Sequence, residues 1–301
     1  MLPFLIVIAI MENSSALVVR KGGLLYDMKV TPYVHQVPVS TPTLFPATTT
    51  NVYVVTDGDK AALIDAGFAD ESSYRTVIEY VAQIGSPQVL GILVTHFHPD
   101  HSPGAVPLAN HFGCPIYAHP VEVPFLEKEI VPAKVSGLLE EGDTFAIGQL
   151  QLHVLHAPGH TQGCLNFWLE EDGVLFTADN IVSLGTTWIG PPEGNLRDYL
   201  ATLERLKTFP ACLIAPGHGE MIEDVREKID FFITRRLERE TQILGLLQTG
   251  PRTEDELLRE VYGSTVHPSV MWVAERTIQG HLIKLLEDGK ISEADKRYQM
   301  L

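Results

Sequence analysis

Val89-Leu90-Gly91-Ile92-Leu93-Val94-Thr95-His96-Phe97-His98-Pro99-Asp100-His101 passes from an apolar run into three histidines and an aspartate. The run from Val89 to Val94, with Gly85 and Pro87 just upstream, predicts a buried strand that ends at Thr95. The histidines therefore begin where a strand gives way to a loop, and there an open sheet exposes side chains on a rigid base. In extended backbone His96 and His98 point the same way, while Asp100 and His101, after the turn, aim at a second point. One loop can thus serve two metal ions. An H-x-H-x-D-H run arises by chance in a chain of this composition on the order of once in a thousand.

Upstream, Asn51-Val52-Tyr53-Val54-Val55 and Ala61-Ala62-Leu63-Ile64 flank the turn Asp57-Gly58-Asp59 and predict a hairpin. Tyr74, Val77, Ile78, Val81 and Ile84 recur at helical spacing before Gly85 and Pro87 stop the helix. Downstream, strands are expected at Pro115 to Ala118, Gln151 to His156, Leu165 to Leu169, Val174 to Thr177 and Cys212 to Ala215. A helix from Leu196 to Leu206 opens on Asn195 as its cap. Such interleaving predicts a layered α/β domain with helices outside. After about residue 225 the strand signals stop, and helices are expected at Val225 to Gln248, Thr253 to Val261 and Ser269 to Glu287. Thr253 and Glu256 form a capping-box pattern. Three helices and a short extended tail outline a winged helix. The division is an N-terminal extension over 1–29, a large α/β domain over 30–225 and a small helical, winged-helix-like domain over 226–301.

More ligands stand after other expected strands, in Pro158-Gly159-His160-Thr161, Thr177-Ala178-Asp179-Asn180 and Pro216-Gly217-His218-Gly219. Glycine beside His160 and on both sides of His218 permits backbone geometry that a side chain would block. Imidazole and carboxylate without thiolate suit Zn²⁺, with Fe or Mn also possible.

The order H-x-H-x-D-H, His, Asp, His resembles the metallo-β-lactamase superfamily, whose fold is an αβ/βα sandwich with the metals at one edge. Leu63-Ile64-Asp65-Ala66-Gly67 resembles that family's early D-x-G turn. The likeness spans about residues 30 to 225. It implies that His96, His98 and His160 hold one metal and that Asp100, His101 and His218 hold the other, with Asp179 bridging. Asp65 would act in the outer shell and fix a histidine tautomer, while Asp100 would relay a proton. The implied activity is that of a dinuclear hydrolase with two Zn²⁺, in which a metal-bridging hydroxide cleaves an ester, lactone, thioester or phosphodiester.

Gly185-Thr186-Thr187-Trp188, Arg197-Asp198-Tyr199-Leu200 and Arg235-Arg236-Leu237-Glu238-Arg239-Glu240, together with the helical tail, are similar to the beta-lactamase-like protein 2 subgroup. That likeness brings in a single-strand endoribonuclease as a second reading. Iron redox enzymes of the fold, such as persulfide dioxygenases and diiron proteins, form a third, although the diiron members carry a carboxylate where this chain has His98.

Composition bounds the partners. The chain has 301 residues, 45% of them hydrophobic, enough for one large domain with a small companion. With Lys+Arg at 22 and Asp+Glu at 38 the formal charge is -16, so polyphosphates are repelled outside any local basic cleft. A small-molecule substrate is favoured over RNA. Cys114, Cys164 and Cys212 form no C-x-x-C pair, which fits reduced thiols and a cytoplasmic setting. Leu2 to Met11 is apolar but lacks a preceding basic residue. It reads as an extension, with a secretory signal as the other reading. No later run reaches membrane length, so no membrane partner is expected.

Several residues have plainer explanations. Asp65 could simply cap the turn before Gly67, and His153 and His156 are expected to be structural. Phe97 and Trp188 are candidate walls of a substrate pocket. Arg235, Arg236 and Arg239 are expected on a solvated helix face beside Glu238 and Glu240.

Overall fold

The computed structural model describes residues 28–42, 48–263, 266 and 270–301. The apolar start and Ser269 lie outside the described residues. Strands β1 (Val34–Ser40), β2 (Thr49–Asp57), β3 (Lys60–Ile64), β4 (Gln88–Leu93), β5 (Ile116–Ala118) and β6 (Gly137–Leu138) form a six-stranded sheet in chain order. Strands β7 (Thr144–Ile147), β8 (Leu150–His156), β9 (Leu165–Leu169), β10 (Val174–Ala178) and β11 (Leu213–Pro216) form a five-stranded sheet in the order β11-β10-β9-β8-β7.

The two sheets bury a shared core that includes Tyr53, Val55, Leu93, Phe167 and Phe176. Helices α1 (Glu71–Gln83) and α2 (Ala105–Phe112) cover the outer face of the first sheet through Val77, Tyr80 and Leu108. Helix α4 (Leu196–Leu206) and the first half of α5 (Val225–Gln248) cover the second through Tyr199, Leu203, Ile229 and Phe232. The result is the expected αβ/βα sandwich. Each such side chain, fully buried, contributes about 1.5–3 kcal/mol of transfer free energy.

The strand order brings the site loops together. β3 and β4 are parallel, so Asp65 and the loop after Thr95 leave the first sheet at one end. β10 and β11 are also parallel, and Asp179 and His218 follow their ends. The Asn51 amide donates to the Gly217 carbonyl at 2.8 Å and ties the two sheets at this edge.

The second half of α5 joins α6 (Glu254–Tyr262), α7 (Met271–Glu287) and the hairpin β12 (Ile291–Ala294) and β13 (Arg297–Met300) around a separate core of Ile243, Leu247, Leu257, Ile278 and Leu285. Asn195 caps α4, accepting from the Arg197 and Asp198 amides at 2.8 and 3.1 Å. Thr253 and Glu256 make the full capping box.

Three strands and two helices went unread in the sequence. Pro38 interrupts the pattern of β1, and the strand tolerates it because it lies at the sheet edge, where one side of its ladder goes unpaired. β6 has two residues, β7 has four, and α2 and the short α3 (Val123–Glu129) give too little periodicity to detect.

The solvated face expected on α5 is corrected in part. Arg235 does pair with Glu238 at the surface, at 3.1 Å. Arg236, however, is buried, donates to the Thr187 carbonyl and lies over the Tyr199 ring. Glu240 is buried too, between Lys284 at 2.7 Å and Lys290 at 2.6 Å. The buried positions of α5, from Val225, Ile229, Phe232 and Ile233 through Arg236 and Glu240 to Ile243 and Leu247, form one continuous stripe. The two charged residues sit where it passes from one core to the other, satisfied by partners from distant elements that local sequence does not show.

Candidate metal centre

His96, His98, Asp100, His101, His160, Asp179 and His218 are all buried and all converge. His98 Nδ1 lies 3.1 Å from His96 Nε2 and 3.0 Å from His160 Nε2. At the other end His218 Nε2 lies 3.3 Å from His101 Nε2 and 3.2 Å from Asp100 Oδ2. Asp179 sits between the ends, with Oδ1 3.3 Å from His101 Nε2 and 3.4 Å from His218 Nε2, and Oδ2 3.8 Å from His160 Nε2.

The outward nitrogen of every one of these imidazoles has a protein partner. His101 Nδ1 meets Asp65 Oδ2 at 2.7 Å, and that carboxylate also accepts from the Thr95 amide at 2.8 Å and the Thr95 hydroxyl at 2.9 Å. His96 Nδ1 rests on the same Thr95 hydroxyl at 2.9 Å. His160 Nδ1 faces the Trp188 carbonyl at 2.9 Å and His218 Nδ1 the Thr49 carbonyl at 2.8 Å. His98 reverses its ring and places Nε2 3.0 Å from Glu193 Oε2. A neutral imidazole that donates outward leaves its other nitrogen as a lone pair, here turned inward.

The donor set fits divalent cations. Asp100 Oδ2 and both Asp179 oxygens are buried without a well-formed hydrogen bond. An oxygen so placed costs several kcal/mol unless a cation or proton satisfies it. Among the described residues three groups satisfy metal-ligand proximity: His96, His98 and His160; His96, His101 and Asp179; Asp100, His101 and His218. Histidine and aspartate are therefore positioned for metal binding.

Electrostatics separates the two ends. Burial, then the positive potential of His101, His98 and His160, holds His96 well below the ordinary imidazole value. Burial and His98 lower His160 to about 4. At the carboxylate end burial also opposes charge on His218, yet Asp179 and Asp100 outweigh it and raise that imidazole to about 10. His101 is raised in the same way. Burial works against the Asp100 carboxylate, but His101 and His218 lower it to about 2.

Backbone geometry at the strand ends is demanding. Asp65 and Ala178 take positive φ values of 61° and 47°, a strained region for side-chain-bearing residues. A Cβ on Gly217 would fall 2.3 Å from Asp179 Oδ1 and 2.9 Å from His101 Cε1, so glycine is what fits beside that buried carboxylate.

Phe97 and Trp188 flank His98, with ring centroids 4.9 and 6.4 Å from the imidazole. Phe97 stacks on the half-exposed Phe125, and Trp188 packs against Trp272 of α7. His156 stacks on His119 at a centroid distance of 4.2 Å, and its Nε2 faces the Gln162 carbonyl at 2.9 Å.

Sequence reasoning missed Thr95, Glu122 and Glu193. Glu122 accepts from the Phe97 amide at 2.9 Å and the Gly163 amide at 2.8 Å, clamping the loop of His96 and His98 to the loop after His160. Burial raises its carboxyl above the usual range, against the pull of those bonds. No local motif marks it. Thr95, adjoining the histidine cluster, carried the one usable signal.

Residues 46–218 match the family model of the metallo-beta-lactamase superfamily, and residues 253–298 match the beta-lactamase associated winged helix domain. The chain belongs to the metallo-beta-lactamase superfamily and carries that winged helix domain after it. It is 28% identical to a beta-lactamase-like protein 2 homolog of Caenorhabditis elegans, over 80% of each chain. To an atrochrysone carboxyl ACP thioesterase of Cryptosporiopsis it is 26% identical, over 88% of this chain and 83% of that one. A metallo-beta-lactamase family protein of Thermus thermophilus superposes with a TM-score of 0.75 at 25% identity, over 90% of this chain and 99% of that one. A beta-lactamase domain protein of Burkholderia ambifaria superposes with a TM-score of 0.80 at 22% identity, covering 91% and 93%.

Proposed function

We propose that this superfamily member is a dinuclear metal-dependent hydrolase of small molecules, with two Zn²⁺ as the cations. His96, His98 and His160 would hold one, and Asp100, His101 and His218 the other, with Asp179 between them. The supporting observation is that every one of these side chains turns a ring nitrogen or an unsatisfied oxygen inward while the five outer imidazole nitrogens are anchored. When bound, such cations polarise the scissile group and make water acidic enough to ionise near neutral pH.

The chain's own residues supply the rest. Asp65, Thr95 and the Trp188 and Thr49 carbonyls hold ring orientation, so little reorganisation accompanies reaction. Asp100 turns Oδ2 toward His101 and His218, which leaves its other carboxylate oxygen, Oδ1, to take up a proton and pass it to a leaving group. Phe97 and Trp188 present apolar walls beside His98 that exclude water from one side of the substrate.

Among ester, lactone, thioester and phosphodiester bonds, the thioester is supported by relatives named as thioesterases. Against a nucleic-acid substrate stand the charge of -16 and the outer positions of α7, where Glu275, Arg276, Ile283 and Glu287 face solvent. Among the described residues, no helix is long and apolar enough to cross a membrane.

Metal analysis of the purified protein, followed by assays on acyl thioesters, p-nitrophenyl esters, lactones, phosphodiesters and single-stranded RNA, tests this reading. Two colourless cations per chain and hydrolysis abolished by His96→Ala are expected. Less than one ion per chain with His96→Ala fully active would sink the proposal, and iron absorption bands would redirect it to redox chemistry.

A further inference from the structure

Glu193 belongs to none of the ligand motifs, yet it governs the one histidine that is turned round. His98 presents Nδ1 to His96 and His160, while its Nε2 meets Glu193 Oε2 at 3.0 Å. A neutral imidazole carries a single N–H, so a carboxylate acceptor at Nε2 keeps the proton there and leaves the Nδ1 lone pair for the pocket. Loss of that acceptor would free the ring to exchange tautomers and to rotate.

The loop that delivers Glu193 leans on α7. Arg276 donates from Nη1 to the Pro191 carbonyl at 3.0 Å. Gly280, one turn further on the same face, allows close approach: a Cβ there would stand 3.2 Å from the Ile189 carbonyl oxygen. A Cβ on Gly190 would meet the Arg276 backbone oxygen at 2.8 Å. Trp188 packs against Val273 of the same helix. On its inner side the loop is closed by Gly194 N donating to Gly190 O at 2.8 Å and Asn195 N to Gly159 O at 2.9 Å, the residue before His160. One face of a helix in the C-terminal domain thus supports both Glu193 and the Trp188 carbonyl that anchors His160.

We propose that Glu193 is a positioning residue that fixes the His98 tautomer for ligation through Nδ1, and that α7 holds the loop presenting it. This rests on the metal reading above. It assigns the winged helix domain a part in assembling the centre, in a chain whose α7 shows no basic stripe.

The test pairs Glu193→Ala with Glu193→Gln, whose amide oxygen can still accept from Nε2, and with Arg276→Ala. Zinc affinity is measured by competition with a chromophoric chelator, and the His98 tautomer by long-range ¹H–¹⁵N NMR of the zinc-free and zinc-loaded protein. Glu193→Ala should weaken one zinc step by about 10- to 100-fold, as loss of a partner behind a ligand does, and should give His98 a mixed tautomer. Glu193→Gln should recover most of both, and Arg276→Ala should show a smaller loss in the same direction. An unchanged zinc affinity with His98 still protonated at Nε2 in Glu193→Ala overturns the proposal, as does a Glu193→Gln variant as impaired as Glu193→Ala. A wild-type chain that binds no zinc would defeat the metal reading by itself, and the tautomer in the zinc-free variants would still decide what Glu193 does.

Discussion

His101 and His218 rest on acceptors supplied by the sandwich, Asp65 after β3 and Thr49 at the start of β2. His98 and His160 rest instead on Glu193 and the Trp188 carbonyl, in a segment braced from outside by Arg236 of α5 and Arg276 of α7. The first end also holds the carboxylates and keeps its imidazoles charged, whereas His96 and His160 at the second are held neutral by burial and one another. One pocket is therefore assembled from two kinds of support. Strand ends fix the carboxylate end and His96; packing between domains fixes His98 and His160.

The largest effect should come from the residue common to both. Asp179→Asn keeps the shape but replaces two buried oxygens that lack hydrogen bonds with one oxygen and an amide. Bound metal should fall below one ion per chain and hydrolysis by about 10³-fold, the several kcal/mol that cation polarisation contributes. Equal metal content in variant and wild type would show that Asp179 does not join the two ends.

Asp65→Asn addresses chiefly the carboxylate end, through His101, and reaches His96 only through the Thr95 hydroxyl. The carboxylate accepts from His101 and twice from Thr95, and an amide would set an N–H against one of these donors. Zinc affinity should drop by about 10- to 100-fold in one step. The affected step should differ from that in Glu193→Ala. If both substitutions weaken the same step, the division into two supports is wrong.

A subtler separation is by pH. His218, raised to about 10, and His101, also raised, carry protons at pH 7 that a cation must displace. Affinity at that end should rise with pH from 6 towards 10, up to about tenfold per unit for each proton released. His160, lowered to about 4, and His96, also lowered, are already neutral, so affinity at their end should be flat above about pH 5. Chelator competition at pH 6, 7 and 8.5 reads both slopes, and identical slopes would refute the contrast.

This difference in support also explains what could be read in the sequence. His96, Asp100 and Asp179 follow runs of β-branched and apolar residues, so a strand-end position was visible from local pattern, and Asn195 and Thr253 announced their helices. Glu193 lies in Pro191-Pro192-Glu193-Gly194, which signals only a turn. Its partner is 95 positions away in sequence, and the helix that steadies it belongs to the C-terminal domain. Arg236 looked solvated for the same reason, because its acceptor, Thr187, belongs to another element. Local periodicity reports a side chain's own element, and partners from distant elements leave no mark in it.

The smallest expected effect tests how far the brace extends. Thr253 caps α6 and shares its box with Glu256, and replacing it with alanine should cost about 1 kcal/mol. In a chain of this size that lowers Tm by about 2–4 °C. α6 touches α7 through Glu254 and Gln279, at 2.7 Å, and through the shared core of Leu257 and Ile278. That contact face is distinct from the Arg276 and Gly280 face that meets the loop. Thr253→Ala should therefore melt earlier while binding zinc with unaltered affinity at both steps. A loss confined to the histidine end would mean that α7 transmits the loosening of α6 to Glu193, and that the winged helix acts on the centre as one body rather than through a single helix face.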